Sequence, residues 1–186
     1  MEDLQSRNVS VEVIDEDQIG PELDAEIRRL LCRCFPADVK AFSARRAWND
    51  IRPLYSVICR NCDRVVGQVG IIEREITCGS VAVRIAGIQS LAVALDWRKS
   101  GASQRLMTTA MVEAKRRRIG FGLLFCVPGL SEFYARLGWQ QIERAVTMRD
   151  AAGRTVPLAA KNIAMQLSLS GKPFPLGTID LQGRDW

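Results

Sequence analysis

Arg98-Lys99-Ser100-Gly101-Ala102-Ser103-Gln104 carries the strongest chemical signal in this chain. An apolar run, Leu91-Ala92-Val93-Ala94-Leu95, leads into it, and a helical pattern leaves it. The first N–H groups of a helix have no intrahelical partner, and small side chains let a phosphate reach them. The glycine spacing is that of neither a nucleotide P-loop nor a dinucleotide fingerprint. On residue types alone the segment is therefore either a diphosphate site or a tight strand-to-helix connection. Tyr134, one of only two tyrosines, offers a phenolic proton, and Glu73, Asp180 and Asp185 offer carboxylates. The chain has no histidine, which removes serine and cysteine nucleophiles built on an imidazole base. A covalent route through Cys126 would lack that activation.

These residues need a scaffold, and the apolar pattern supplies one. Val9, Val11 and Val13 alternate with polar neighbours as in a half-buried strand. Pro21 opens a helix with Leu23, Ile27, Leu30, Leu31 and Cys34 on one face, ended by Phe35-Pro36. A short helix is predicted over residues 43–50. Strands follow over 54–60 and 64–72. A hairpin at Gly79-Ser80 then leads into a long extended run ending near residue 95. From Gly101 the period becomes helical, with Leu106, Met107, Ala110, Met111 and Ala114 forming the apolar stripe and Gly120 closing it. Residues 123–127 are wholly apolar, as suits a strand covered on both sides. A short helix over 130–137, stopped by Gly138, precedes strands near 141–148 and 163–169. Residues 1–7 read as a frayed end, and 171–186 as a loop and tail. The economical fold is α/β, a mixed, mostly antiparallel central sheet with helices on both faces.

Bulk properties narrow the class. A chain of 186 residues can bury one full core. No stretch has the apolar length of a membrane span, and the acidic start Met1-Glu2-Asp3 is unlike a signal peptide, so a cytoplasmic location is expected. The six cysteines then read as reduced thiols. Cys32-x-Cys34 and Cys59-x-x-Cys62 do not make a convincing zinc set, because one spacing is short and histidine is absent. No metal is expected. Part of the net charge of +5 lies in Lys115-Arg116-Arg117-Arg118. That run either complements the C-terminal end of its helix or meets something acidic. No basic–aromatic stripe accompanies it, so nucleic acid is not expected.

With the order of elements in place, two segments resemble motifs of the acetyl-CoA-dependent N-acyltransferases of the GNAT superfamily. Arg98-Lys-Ser-Gly101-Ala-Ser103 is similar to that family's pyrophosphate motif, with serine at the final small position. Phe133-Tyr134-x-x-x-Gly138-Trp139 is similar to its Tyr-x-x-x-Gly-Phe/Trp segment. The resemblance implies a single domain over 1–186, with acetyl-CoA or another acyl-CoA held by Leu91, Ala92, Val93, Arg98, Lys99, Ser100, Gly101, Ala102, Ser103 and Gln104. It implies direct attack of an amine on the thioester. A backbone N–H near Leu91–Val93 would polarise the carbonyl, and Tyr134 would protonate the leaving sulfur.

Two branches are similar over most of the chain. The rhizobial nodulation N-acyltransferase has segments resembling Arg46-Ala-Trp48-x-x-x-Arg52-Pro53, Gly120-Phe-Gly122 and Gly177-Thr-Ile-Asp180. Aminoglycoside 2'-N-acetyltransferases resemble Ala92-Val93-x-x-Asp96-Trp97-Arg98, Tyr134 to Trp139, and the closing Asp-x-x-x-Gly183-x-x-Trp186. Both imply a small-molecule amine on a sugar as acceptor, met by Trp48, Arg52, Gln89, Asp180 and Trp186. Gln89 stands where the aminoglycoside enzymes carry a glutamate base, so either another carboxylate, Glu73, Asp180, Asp185 or the Trp186 α-carboxylate, takes that role or the substrate arrives as a neutral amine. The donor is left between acyl-CoA and an acyl-phosphopantetheine on an acyl carrier protein. The tail either closes its own cleft or docks on a neighbour in a homodimer. Gln89 and Ser103 also leave open a binding module without catalysis.

Overall fold

The structure, a computed structural model, describes residues 9–186, so the frayed segment expected at residues 1–7 lies outside them. The strands are β1 (Ser10–Asp15), β2 (Tyr55–Asn61), β3 (Arg64–Cys78), β4 (Val81–Val93), β5 (Phe121–Cys126), β6 (Gln140–Ile142), β7 (Val146–Arg149), β8 (Thr155–Pro157), β9 (Ile163–Ser168) and β10 (Ile179–Asp180). The helices are α1 (Pro21–Cys34), α2 (Val39–Ala44), α3 (Ala102–Arg116) and α4 (Ser131–Ala135). All described strands join one sheet in the order β6-β9-β5-β4-β3-β10-β7-β8, with β2 and then β1 branching from the first half of β3. Neighbours are antiparallel except β4–β5 and β7–β10. This is the expected mixed, mostly antiparallel sheet of the GNAT fold.

Period-2 burial separates the two faces. On β2, Tyr55, Val57 and Cys59 point to α3, and the Tyr55 hydroxyl donates to the Ala110 carbonyl at 2.8 Å. The alternate residues point to α1, where Arg60 pairs with Glu26 at 3.5 Å. Burial of Ile27, Leu30 and Leu31 on α1 and of Leu106, Met107 and Ala110 on α3 follows the stripes read from the sequence. Each of the Ile, Leu and Met side chains among them contributes about 1.5–3 kcal/mol when fully buried, which clamps the sheet from both sides.

Two irregularities shape the middle of the sheet. The β3–β4 register shifts so that Gly70 faces Gln89 while Gln68 faces Ala92, leaving Ser90 and Leu91 opposite Val69 alone. Ser90 takes a φ of +54° in this bulge. The parallel neighbours β4 and β5 then pair only from Ile85–Gly87 to Phe121–Leu123. Beyond that point β4 runs on to Val93 and β5 to Cys126 without pairing, and a wedge opens between them.

Three expectations need correction. The helix expected over 43–50 is instead α2, and only one 3-10 turn forms at Trp48–Asp50. Asn49 and Asp50 both have positive φ, near +50° and +62°, which no α-helix can continue through. The strand expected near 141–148 is two strands: β6 joins β9 at one end of the sheet, and β7 joins β8 and β10 at the other. Within the expected tail, β10 inserts between β3 and β7. A two-residue strand has no periodicity to announce it.

Candidate active site

The chemistry-bearing loop stands at the open end of the wedge. After β4, one 3-10 turn (Leu95–Trp97) aims the chain outward, and the Ser100 hydroxyl donates to the Trp97 carbonyl at 2.6 Å. Gly101 is the N-cap of α3 with a φ of +82°, and a β-carbon placed there would meet nothing within 4 Å. The glycine therefore answers a backbone requirement, and the space before it is open. No side chain caps α3, so its first N–H groups keep their capacity for an external acceptor.

A cleft of about 330 Å³ extends from this loop into the wedge. Leu91, Ala92 and Val93 of β4 form one wall, Arg98, Lys99, Ala102 and Ser103 the mouth, and Tyr134 the far side. These eight share one cleft. Gly101 and Ser100 stand in the loop between mouth residues, and Gln104 is the third residue of α3, outside the lining. Cys34, Phe35, Trp97, Leu130 and Phe133 also line the cleft and were not singled out as site residues from sequence. Phe133 had been quoted beside Tyr134, but nothing local marks the end of α1 as a wall. The Cys34 thiol donates to the Val93 carbonyl at 3.4 Å. Burial pushes its pKa up against the pull of Arg98, so it stays protonated. Cys126 is likewise held as a thiol by burial.

Tyr134 is buried, with its ring 4.9 Å from Phe133 and 6.3 Å from Trp139. Burial, reinforced by Cys126, raises the phenol pKa well above its ordinary 10. It therefore keeps its proton at neutral pH and can serve as a donor. Among the described residues lining the cleft there is no carboxylate.

The acceptor-side residues form a second assembly on the α1 face of the sheet. Gln89 is 2% exposed; its Oε1 accepts from the Trp48 N–H at 3.2 Å and its Nε2 donates to the Ile51 carbonyl at 2.9 Å. It thus staples the 48–51 turn to β4. The Trp48 ring packs 4.6 Å from Phe42 and 6.4 Å from Phe35, which links it to the cleft wall. Asn49 reaches the tail, donating to the Asp185 carbonyl at 3.0 Å and to its carboxylate at 2.9 Å. Trp186 lies buried against β4 and β5, and its Nε1 has no hydrogen-bond partner. The tail therefore folds onto its own chain.

The remaining sequence candidates lie apart from this assembly. Arg52 is 76% exposed, 3.3 Å from Glu16, beside a separate polar depression of about 570 Å³. Glu73 is ion-paired to Arg84 of the neighbouring strand. Asp180 is gripped by both Arg149 nitrogens at 3.1 and 2.9 Å. Burial raises its pKa, but Arg149 and the Gln182 N–H outweigh that and lower it. In the basic run, Arg116 pairs with Glu113 while staying exposed, and the half-buried Arg117 pairs with Glu113 and Asp15 and lies 4.5 Å over the Tyr55 ring. The described cysteines are all unpaired thiols.

The wedge, the uncapped glycine-led helix and the buried phenol meet in one cleft. Residues 22–142 match the family model described as the acetyltransferase (GNAT) domain, and the chain belongs to that N-acetyltransferase family. A GNAT family N-acetyltransferase (YhbS) from Escherichia coli, solved in complex with CoA, is similar at a TM-score of 0.63 and 17% identity, over 93% of this chain and 89% of that one. An aminoglycoside 6'-N-acetyltransferase complexed with coenzyme A is similar at 0.59 and 17%, over 88% of this chain and 99% of that one. A GCN5-related N-acetyltransferase from Kribbella flavida is similar at 0.55 and 20% over 72% of this chain, which spans only 33% of that longer protein. No curated protein matches the chain in sequence. Among the described residues, no helix is long and apolar enough to cross a membrane.

Proposed function

We propose that this protein transfers an acetyl or longer acyl group from a thioester, acetyl-CoA in the first place, to a primary amine on an amino sugar or aminoglycoside in the cytoplasm. The observation that carries the reading is the wedge, with Leu91–Val93 on one wall and Tyr134 on the other. The loop fits a diphosphate: Gly101 leaves open space, Ala102 and Ser103 are small, α3 has no side-chain cap, and Arg98 and Lys99 stand at the mouth. Acetyl-CoA, when bound there, supplies the activated acyl group.

The chain's own residues do the rest. The unpaired edge of β4 beyond the bulge offers backbone N–H groups to polarise a carbonyl. Tyr134 holds a proton to give to the departing sulfur. Gln89 cannot take the proton of the attacking amine, since both halves of its amide are engaged. Glu73 and Asp180 have their charges met by Arg84 and Arg149. The base is assigned to Asp185, acting through water, because it lies beside Trp186 and the Trp48 turn. With Trp48 and Trp186 it forms the acceptor's wall. A carrier-borne phosphopantetheine is the second donor reading; Arg117 is committed to Asp15 and Glu113, whereas Lys115, Arg116 and Arg118 of the basic run are exposed.

The test is thiol release and acceptor mass gain, using purified protein with acetyl-CoA or a long-chain acyl carrier protein. The amine panel holds aminoglycosides, glucosamine oligomers, spermidine and a lysine peptide. Turnover of acetyl-CoA with an amino sugar supports the reading. Turnover only with the peptide or the polyamine overturns the acceptor class, and thiol release under no pairing overturns catalysis.

A further inference from the structure

We infer that the Trp186 indole is the stop at the narrow end of the wedge and sets the length of the acyl group transferred, an inference that rests on the acyltransfer reading above. The diphosphate loop lies at the C-terminal end of β4, and the wedge narrows towards Gly87 and Leu123, where the strands rejoin. An arm anchored at the loop and running between the strands therefore points its acyl end at that apex.

Trp186 occupies the apex on the α1 face. A β-carbon added at Gly87 would lie 2.5 Å from its Cε2 and 2.6 Å from the Ile72 side chain. Glycine at position 87 is thus what seats the ring against β4. On the other strand its ring is 4.9 Å from that of Phe125, so one side chain spans both edges of the opening. The Arg74 guanidinium covers it at 5.0 Å, and Arg74 also donates to the Arg184 carbonyl at 2.5 Å. The indole N–H makes no hydrogen bond, so the ring is held by packing and by the Arg74 guanidinium over its face. Phe125 lies two residues beyond the Gly87–Leu123 pair, level with Gln89. Leu91 is two residues further on, roughly 7 Å along the strand. That interval leaves room for a short acyl group ahead of a thioester at Leu91–Val93, and a longer chain runs into the two rings.

The experiment compares acetyl-CoA with hexanoyl-CoA on the wild type, Trp186→Ala, Trp186→Phe and Asn49→Ala. One readout is the ratio of kcat/KM values; the other is affinity for each ester and for CoA, measured without acceptor. Wild type is expected to favour acetyl-CoA by about tenfold or more, the scale of discrimination that a filled apolar pocket supplies. Trp186→Ala should shift the ratio towards hexanoyl-CoA by about tenfold and tighten hexanoyl-CoA binding with CoA binding unchanged. Trp186→Phe should fall between. Asn49→Ala loosens the tail and keeps the ring, so its ratio should stay near wild type. An unchanged ratio and unchanged hexanoyl-CoA affinity in Trp186→Ala overturn the inference while leaving the acyltransfer reading intact. An Asn49→Ala shift as large as that of Trp186→Ala overturns it too, because tail closure and not the ring would then set the limit. Failure of the wild type to bind any of the three CoA compounds removes the acyltransfer reading and this inference with it.

Discussion

The proposed donor side and the proposed acceptor side of the wedge are built in opposite ways. The donor mouth and wall come largely from one stretch, residues 91–104, where strand, turn and helix follow each other directly. The acceptor side gathers the 48–51 turn, Gln89 and residues 184–186, joined by bonds such as Asn49 to Asp185, 136 positions apart. Backbone groups and small residues do the work on the donor side, whereas aromatic rings and side-chain amides do it on the acceptor side. A site of the first kind is a property of local chain geometry. One of the second kind exists only after distant segments have packed.

This contrast can be broken at either side. The largest expected effect is at the junction of the two. Tyr134→Phe should lower kcat by about a hundredfold or more with little change in the KM for acetyl-CoA, as expected for loss of a proton donor. Because burial raises the Tyr134 pKa, its protonated form persists above the ordinary value of 10. A kcat–pH profile should therefore show no alkaline fall from this group at or below pH 10, and a fall near 8 that Tyr134→Phe abolishes would remove it from the acid role.

On the donor side, Ser103→Glu sets a negative charge at the mouth, where the diphosphate is expected. Like-charge juxtaposition costs several kcal/mol, so CoA affinity by calorimetry should drop at least tenfold. An unchanged affinity would move the diphosphate away from this loop. The donor side also rests on α3, whose C-terminal end is tied down by Glu113. Hydrogen bonds from Arg116, opposed by burial and aided by Arg117, hold the Glu113 pKa at about 2 against an ordinary 4.5. A lowered folded pKa means that the stabilisation is complete above 4.5 and is lost as the pH falls from 4.5 towards 2. Glu113→Gln should cost about 1–3 kcal/mol at neutral pH. Its acid unfolding, followed by circular dichroism, should also lack that part of the pH dependence.

The smallest effect separates the two sides most cleanly. Asn49→Ala removes the link between the 48–51 turn and the tail. It should raise the KM for the acceptor amine about fivefold, the worth of roughly 1 kcal/mol of hydrogen bonding, with the KM for acetyl-CoA unchanged. Equal changes in both constants would mean that the two sides are one mechanical unit.

What was legible in the sequence follows the same division. The Arg98–Ser103 loop, the stripe of α3 and the Tyr134–Trp139 segment could be read because each is a run of neighbours obeying one period or one turn rule. Cys34 and Phe35 were readable as the end of a helix but not as walls of the cleft, because that depends on where α1 lies over β4. Gln89 was singled out by resemblance as meeting the acceptor; the structure shows it binding Trp48 and Ile51. The Lys115–Arg118 run was readable as a helix end or a surface for something acidic, but not the pairing of Arg117 with Glu113 and Asp15, which depends on where β1 lies beside α3.

The sequence by itself determined the α/β pattern, the uncapped glycine-led helix start and the family motifs, because local sterics and period-2 or 3.6 burial act over a few residues. Only the tertiary structure decided where β4 and β5 part, which charges neutralise one another, and that the indole of Trp186 packs over Gly87. Those outcomes depend on side chains from separate elements competing for the same space, and no local rule encodes who wins.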